Sequence, residues 1–139
     1  MHRGSAFLRC TFRRSNLFDA TFTGCKLTGS VFESAELRPL HVEGGDWSYV
    51  SLRQADLRGV SFRGVRLHDA DLTDADLTDC DLRDADLSHA TLRGATLHGA
   101  DLRGARVVGV DLALLDLRGA ILDVAQAVQV ARGLGAEVG

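Results

Sequence analysis

From Phe7 to Leu122 every fifth residue is large and apolar: Phe7, Phe12, Leu17, Phe22 and onward without a slip. All 24 of these positions hold Leu, Phe, Val or Trp. In a chain that is 45% apolar, chance would produce such a run with a probability on the order of 10⁻⁸. The residue two before each large one is uncharged and usually small, mostly Ala, Ser or Cys, with Leu40, Gly45, Val50 and Leu115 among the variants. The other three positions are polar. Asp stands at nine of the residues just before the large one, Arg at nine of those just after it, and Gly at ten of those two after it.

A period of five fits neither regular element. An α-helix would smear it around its circumference, and a strand of period 2 would send alternate repeats to opposite faces. A chain that turns a corner every five residues satisfies it. Each pentapeptide then becomes one side of a square coil, with its large and small residues pointing to the axis and the Gly-rich position relaxing the corner. Four sides use about 20 residues, after which parallel β-type bonds can form between stacked coils. The pattern predicts about six coils over residues 1–122, whose core is a set of Leu and Phe ladders, and a separate segment at 123–139.

That segment reads DVAQAVQVARGLG. Asp123 can cap a helix on which Val124, Ala127, Val128, Ala131 and Leu134 share one face, and Gly133 or Gly135 can end it. The apolar face can fold over the last coil as a lid, or form a two-fold dimer contact, or both. The repeat is already running by Ser5, so no such lid is expected at the other end. Three departures from the unit stand out. Leu40, Pro39, Gly44 and Trp47 predict a kink or bulge in the third coil, outward Leu114 is expected to pack against the terminal helix, and Leu8, Phe18 and Tyr49 are apolar residues on outward positions, Phe18 being a possible partner contact.

The unit resembles the A(D/N)LXX repeat of the pentapeptide-repeat family, legible in ADLTDADLTDCDLRDADLSHATLRGATLHGADLRG and extending over about residues 5–122. The resemblance implies an all-β fold, a right-handed quadrilateral β-helix with a short C-terminal helix, and the usual hand of parallel crossovers agrees. Several stretches, HRGSAF, Ser30–Leu40, DLRG at Asp56–Gly59, ADLRGA at Ala100–Ala105 and DVAQAV, resemble a narrower group. These are the mycobacterial and actinobacterial fluoroquinolone-resistance proteins of the Qnr-like group. Membership implies a DNA-mimicking homodimer joined through its C-terminal ends, which binds DNA gyrase, a type II topoisomerase, and inhibits it or protects it from quinolones. Relatives in that group carry roughly two further coils ahead of HRGSAF, so the resemblance implies a chain that is either naturally short or truncated there.

Composition and charge narrow the alternatives. A chain of 139 residues with a net charge of −3 fits one soluble domain and argues against direct nucleic-acid binding. No run of ~18 apolar residues or signal-peptide core is present, so a cytoplasmic protein with no membrane contact is expected. Cys10, Cys25 and Cys80 are far apart and fall on small inward positions, which predicts inert core thiols. The five histidines have no HxxxH or HExxH spacing, a zinc site from His68 and His89 on adjacent coils has little to support it, and no phosphate-binding motif occurs. No enzyme, no cofactor and no metal are therefore expected.

The charge is nevertheless sorted. The side of the coil carrying Leu17 through Leu117 sums to −3 and that carrying Phe22 through Leu122 to −2, while the first coils carry Arg3, Arg9, Arg13 and Arg14. Residues 69–86, about one coil, hold Asp69, Asp71, Asp74, Asp76, Asp79, Asp81, Asp84 and Asp86 against Arg83 alone. Such a belt either reflects the repeat consensus with weak surface ion pairs, or presents carboxylates as a duplex presents phosphates. On the second reading the gyrase-binding surface is this belt with Asp101 and Asp116 added, and the dimer contact is Val124, Ala127, Val128, Ala131 and Leu134. An alternative is a generic protein-interaction scaffold with no gyrase activity.

Overall fold

The computed structural model of the chain describes residues 2–9, 11–13, 20–33, 37 and 40–139. Leu17, Phe18, Pro39 and Cys10, with the charged residues Arg14, Asp19, Glu36 and Arg38, lie outside the described residues, as does everything expected of them. The described residues that precede the C-terminal helix form a β-solenoid in which the chain returns over itself every twenty residues. Its register is explicit in the parallel pairs Lys26 with Asp46, Asp46 with Arg66, Arg66 with Asp86 and Asp86 with Arg106. Near the start the sides are long enough to form true strands: β1 (His2–Arg3), β2 (Thr11–Arg13), β3 (Ala20–Thr23), β4 (Val31–Glu33) and β5 (Leu40–Glu43). They pair β1-β3-β5 and β2-β4, all parallel.

Each side is one pentapeptide. In the unit Asp71–Ala75, Asp71 donates its N–H to Val50 of the coil before, Leu72 donates to Thr91 of the coil after, and Ala75 closes a turn onto Leu72 at 3.0 Å. The turn forces the residue two after the large one into the left-handed region. Every described residue at that position from Gly4 to Gly119 has φ between 53° and 76°, with Leu114 as the exception. This is why glycine is so common there, and why Asp, which tolerates this region better than most residues, is the chief substitute.

The interior is a stack of buried, mostly apolar side chains. Leu52, Leu57, Leu72, Leu77, Leu82, Leu87 and Leu97 are fully buried, with Ala70, Ala75, Ala85 and Ala100 filling the small positions. Trp47 is also fully buried, stacked on Phe32 at 5.9 Å and edge-on to Phe22 and Phe62 at 5.7 and 5.8 Å. Among the described residues the third coil, where a kink or bulge is expected, shows no bulge. His41 pairs with Ser61 and Asp46 with Arg66, so no residue is inserted. The large indole is accommodated by the backbone at Gly44 and Gly45, both with positive φ, and Gly45 lies so close to the Cys25 backbone that any Cβ would collide with it.

The regular corners are interrupted after residue 111 and resume at Gly119 (φ 73°). Leu112–Leu114 form a single 3-10 turn capped by Asp111, the chain rejoins the ladder at Ile121, and helix α1 (Val124–Gly133) closes the end. Asp123 and Gln126 make a reciprocal capping box. At the other end Gly135 (φ 90°) ends the helix in a Schellman motif, Gly135 donating to Arg132 and Ala136 to Ala131, both at 2.9 Å.

Candidate functional site

The eight aspartates of residues 69–86 are of two structural kinds. Asp71, Asp76, Asp81 and Asp86 precede a large residue, and each carboxylate accepts the backbone N–H two residues on, at 3.0 to 3.1 Å. Asp101 and Asp116 do the same to Arg103 and Arg118. This Asx turn holds the corner closed, which gives the repeat a structural reason for Asp at this position. Where Arg follows, the same carboxylate also takes the guanidinium, as Asp81 does from Arg83 at 2.9 and 2.8 Å. Arg103 hydrogen bonds hold the Asp101 carboxyl down to about 2, and Arg118 followed by His98 at 3.1 Å hold Asp116 well below the usual range. Arg83 lowers Asp81 in the same way, while for Asp86 the upward push of burial is outweighed by its bonds from Ser88.

Asp69, Asp74, Asp79 and Asp84 occupy four successive corners of a single turn of the solenoid, all with φ of 58° or 59°. Three of their carboxylates lean over glycine corners of the following coil. A Cβ on Gly94 would collide with Asp74, one on Gly99 with Asp79 and one on Gly104 with Asp84. Asp69 instead pairs with His68, whose ring meets that of His89 edge-on at 5.4 Å. Asp74, Asp79 and Asp84 have no ion pair among the described residues. The acidic segment is therefore a ring around the rod, with three of its four corner members without an ion pair among the described residues, and not a patch on one side.

The sides between the corners are more balanced. One column alternates Lys26, Asp46, Arg66, Asp86 and Arg106 from coil to coil. Asp71 has Arg53 at 3.6 Å, Asp76 has Arg58 at 3.6 Å, and Arg83 reaches Asp101 of the next coil at 3.9 Å. Asp101 and Asp116 lie one and two coils beyond the ring and are each clamped by an arginine, so the ten expected surface aspartates do not form one uniform set.

Helix α1 docks on the last coil through residues that the apolar pattern does not pick out. Gln126 is buried and donates from Nε2 to the carbonyls of Leu102 (2.5 Å) and Ala105 (3.2 Å), and Gln129 donates to Val110 (2.8 Å). Val130 packs on the core between them, and Gly133 comes so close to Ala113 that a Cβ there would crowd it. The expected lid face is consequently turned outward. Val124 is 82% and Leu134 71% exposed, Ala127 is exposed, and Val128 and Ala131 are half-buried. Leu114 is 81% exposed and does not pack beneath the helix as expected. The reason is the cost of the solenoid's open edge, whose carbonyls need donors that apolar side chains cannot supply. Gln126 and Gln129, the two uncharged polar residues of this helix, were the sequence signal for this. Together Val124, Ala127, Leu134, Leu114 and Ile121 leave an exposed apolar surface at this end of the rod.

Buried chemistry is sparse. Cys25 and Cys80 are buried, and burial pushes the Cys80 thiol up to about 12. Among the described residues no group of three or more His, Cys, Asp or Glu could hold a metal ion, and no helix is long and apolar enough to cross a membrane.

Comparison with known proteins places the fold in context. The family described as Pentapeptide repeats (8 copies) matches residues 70–108 and 80–123, and the Pentapeptide repeat region family matches residues 3–72. The pentapeptide repeat protein MfpA of Mycobacterium tuberculosis is 48% identical over 58 residues, which are 42% of this chain and 32% of that protein. The chain thus spans about a third of the curated relative it matches. Among solved structures, a trypsin-treated form of QnrB1, a plasmid-mediated fluoroquinolone resistance protein, superposes with a TM-score of 0.74 at 20% identity, covering 98% of this chain and 88% of that one. The pentapeptide repeat protein Rfr23 of the cyanobacterium Cyanothece 51142 superposes with a TM-score of 0.56 at 19% identity, covering 87% and 86%.

Proposed function

This chain belongs to the pentapeptide-repeat family, and from that premise we propose that it is a DNA-mimicking, gyrase-binding protein of the MfpA and Qnr kind. The observation that carries the reading is the ring of residues 69–86. A duplex bears a phosphate for every ~1.7 Å of axis, so a solenoid coil rising ~4.8 Å corresponds to about three phosphates. This coil offers eight carboxylates over the same rise, three of them at corners without a cationic partner among the described residues. A basic surface shaped for the gate segment of DNA would find comparable charge density whichever side it approached.

On this reading the coil is right-handed and the rod has six coils. Two copies join through the outward stripe Val124, Ala127, Val128, Ala131 and Leu134, which doubles the mimicked length. The protein catalyses nothing itself. It occupies the DNA site of gyrase in the cytoplasm, inhibiting the enzyme or shielding it from quinolones, with no direct contact to nucleic acid or membrane. A second reading, a protein-interaction scaffold without gyrase activity, draws support from Asp71, Asp76, Asp81 and Asp86, whose turn bonds would recur in this repeat whatever its partner.

A gyrase supercoiling titration separates the two. We expect the wild-type protein to inhibit supercoiling, or to reduce quinolone-induced cleavage, at micromolar concentration, and added salt to weaken the effect. Replacing Asp74, Asp79 and Asp84 together by Asn removes three charges while keeping a residue suited to the left-handed corner. The triple variant should keep its melting temperature and lose at least tenfold in potency. An inert wild type, or a triple variant of unchanged potency, would discard the mimicry reading in favour of the scaffold.

A further inference from the structure

The ladder that joins coil to coil is open on two adjacent sides near its end: on the second, Leu97 and Gly99 have no backbone acceptor and Ala95 no donor among the described residues, and the first lies over a slot. Along the preceding sides the large residue and the corner residue donate to the next coil, as Leu72 does to Thr91 and Asp74 to Arg93, while the small residue accepts, as Ala70 does from Thr91. Leu92 and Gly94 have no acceptor for their N–H groups among the described residues, and the Ala90 carbonyl has no donor. The cause is the 3-10 turn at Leu112–Leu114. Its bonds, Leu114 to Asp111 and Leu115 to Leu112, both at 3.2 Å, divert the strand that should cover these groups. A slot of about 410 Å³ remains between the two coils, lined by residues that include His89, Arg93, Gly94, Val110, Leu114 and Leu115. Backbone donors and acceptors left open on a β edge are a template for one more strand.

We propose that this slot receives residues 135–139 of a second copy of the chain. Three extended residues suffice to give carbonyls to Leu92 and Gly94 and an N–H to Ala90. The segment following α1, Gly135-Ala136-Glu137-Val138-Gly139, is exposed and extends from the end of the helix, and none of it lines its own chain's slot. Its chemistry matches the walls. Glu137 supplies a carboxylate for Arg93, which has no ion pair among the described residues, and Val138 supplies an apolar side chain for Leu114 and Leu115. The occupant is a second copy because the slot adjoins the outward stripe of α1. Leu114, 81% exposed, belongs to the slot and to that apolar surface alike. The inference rests on the two-fold pairing proposed above and adds an exchanged segment to it.

Sedimentation of the full chain and its charge variants tests it. Arg93→Glu and Glu137→Lys should each weaken the dimer at least tenfold, and the double variant should return to within about threefold of wild type. Single variants that leave dimerisation unchanged, or a double variant no better than either, would overturn the exchange while leaving the dimer intact. A wild-type chain that stays monomeric at high concentration would instead remove the pairing and with it the second copy as occupant. Amide exchange at Leu92 and Gly94 gives an independent readout. Protection should appear only above the dimer dissociation constant, and protection at all concentrations would mean that the chain's own segment fills the slot, overturning the exchange.

Discussion

At the scale of single residues, the solenoid depends on a backbone conformation that only some side chains accept. The corner column is shared between Gly and Asp because both tolerate φ near 60°. Glycine follows aspartate on the next coil for a packing reason as well, since each of Asp74, Asp79 and Asp84 leans into space that a side chain on Gly94, Gly99 or Gly104 would fill. Substitutions in this column should therefore rank by neighbour. Gly59 has φ 73° and open space around its missing Cβ, so Gly59→Ala should cost only the left-handed conformation, about 1 kcal/mol. Gly94→Ala pays that and must also displace the Asp74 carboxylate, for a total of about 2 kcal/mol. Chemical denaturation of the two variants checks the order, and equal losses would contradict the packing argument.

The elements at the two ends of the repeat show how far local pattern reaches. Within the coils, the five-residue beat identifies the buried side chains correctly through Leu52, Leu77 and Leu97, because every side has a covered neighbour above and below. At α1 the same logic gathers Val124, Ala127, Val128, Ala131 and Leu134 into one apolar face, for a lid, a dimer contact or both, and the structure docks Gln126, Gln129 and Val130 on the coil. An apolar stripe in a helix says that something covers it without saying what, whereas an open β edge demands hydrogen-bond donors. Gln126→Ala leaves the Ala105 carbonyl without its donor, takes one of two donors from the Leu102 carbonyl, which keeps the Ala105 N–H, and removes half of the capping box. We expect a loss of about 2 kcal/mol, with faster amide exchange confined to the last coil and α1. A loss spread evenly over the rod would show that the helix does not act as a local cap.

For the whole molecule, charge couples stability to pH. Asp81, Asp101, Asp116 and Asp123 all lie below the ordinary carboxylate range because arginine side chains or backbone N–H groups bond their ionised forms. A carboxylate depressed in the folded state favours folding above its unfolded value of about 3.9, and that contribution disappears as pH falls through the folded value. For Asp101 the window runs from about 4 down to about 2. Melting temperature should consequently fall below about pH 4, with little change from these groups between about pH 5 and 7. Asp101→Asn keeps the turn oxygen and removes the titration, so its acid slope should be shallower than that of the wild type, as thermal unfolding across the pH range would show.

The sequence by itself determined the solenoid, its interior and the location of its corners, because a strict five-residue repeat has only one way to bury two positions in five, and each coil repeats the environment of the last. It also located the acidic segment, though not its form. Only the tertiary structure divided Asp71, Asp76, Asp81 and Asp86, bound into turns, from Asp69, Asp74, Asp79 and Asp84 at the corners, since that distinction lies in backbone angles and in what the next coil places above each carboxylate. It likewise decided which face of α1 docks, that Trp47 enters the core without shifting the register, and that the ladder opens beneath Leu92 and Gly94. These outcomes belong to places where the repeat stops repeating. There the unsatisfied groups of the backbone, invisible in a pattern of side chains, choose the arrangement.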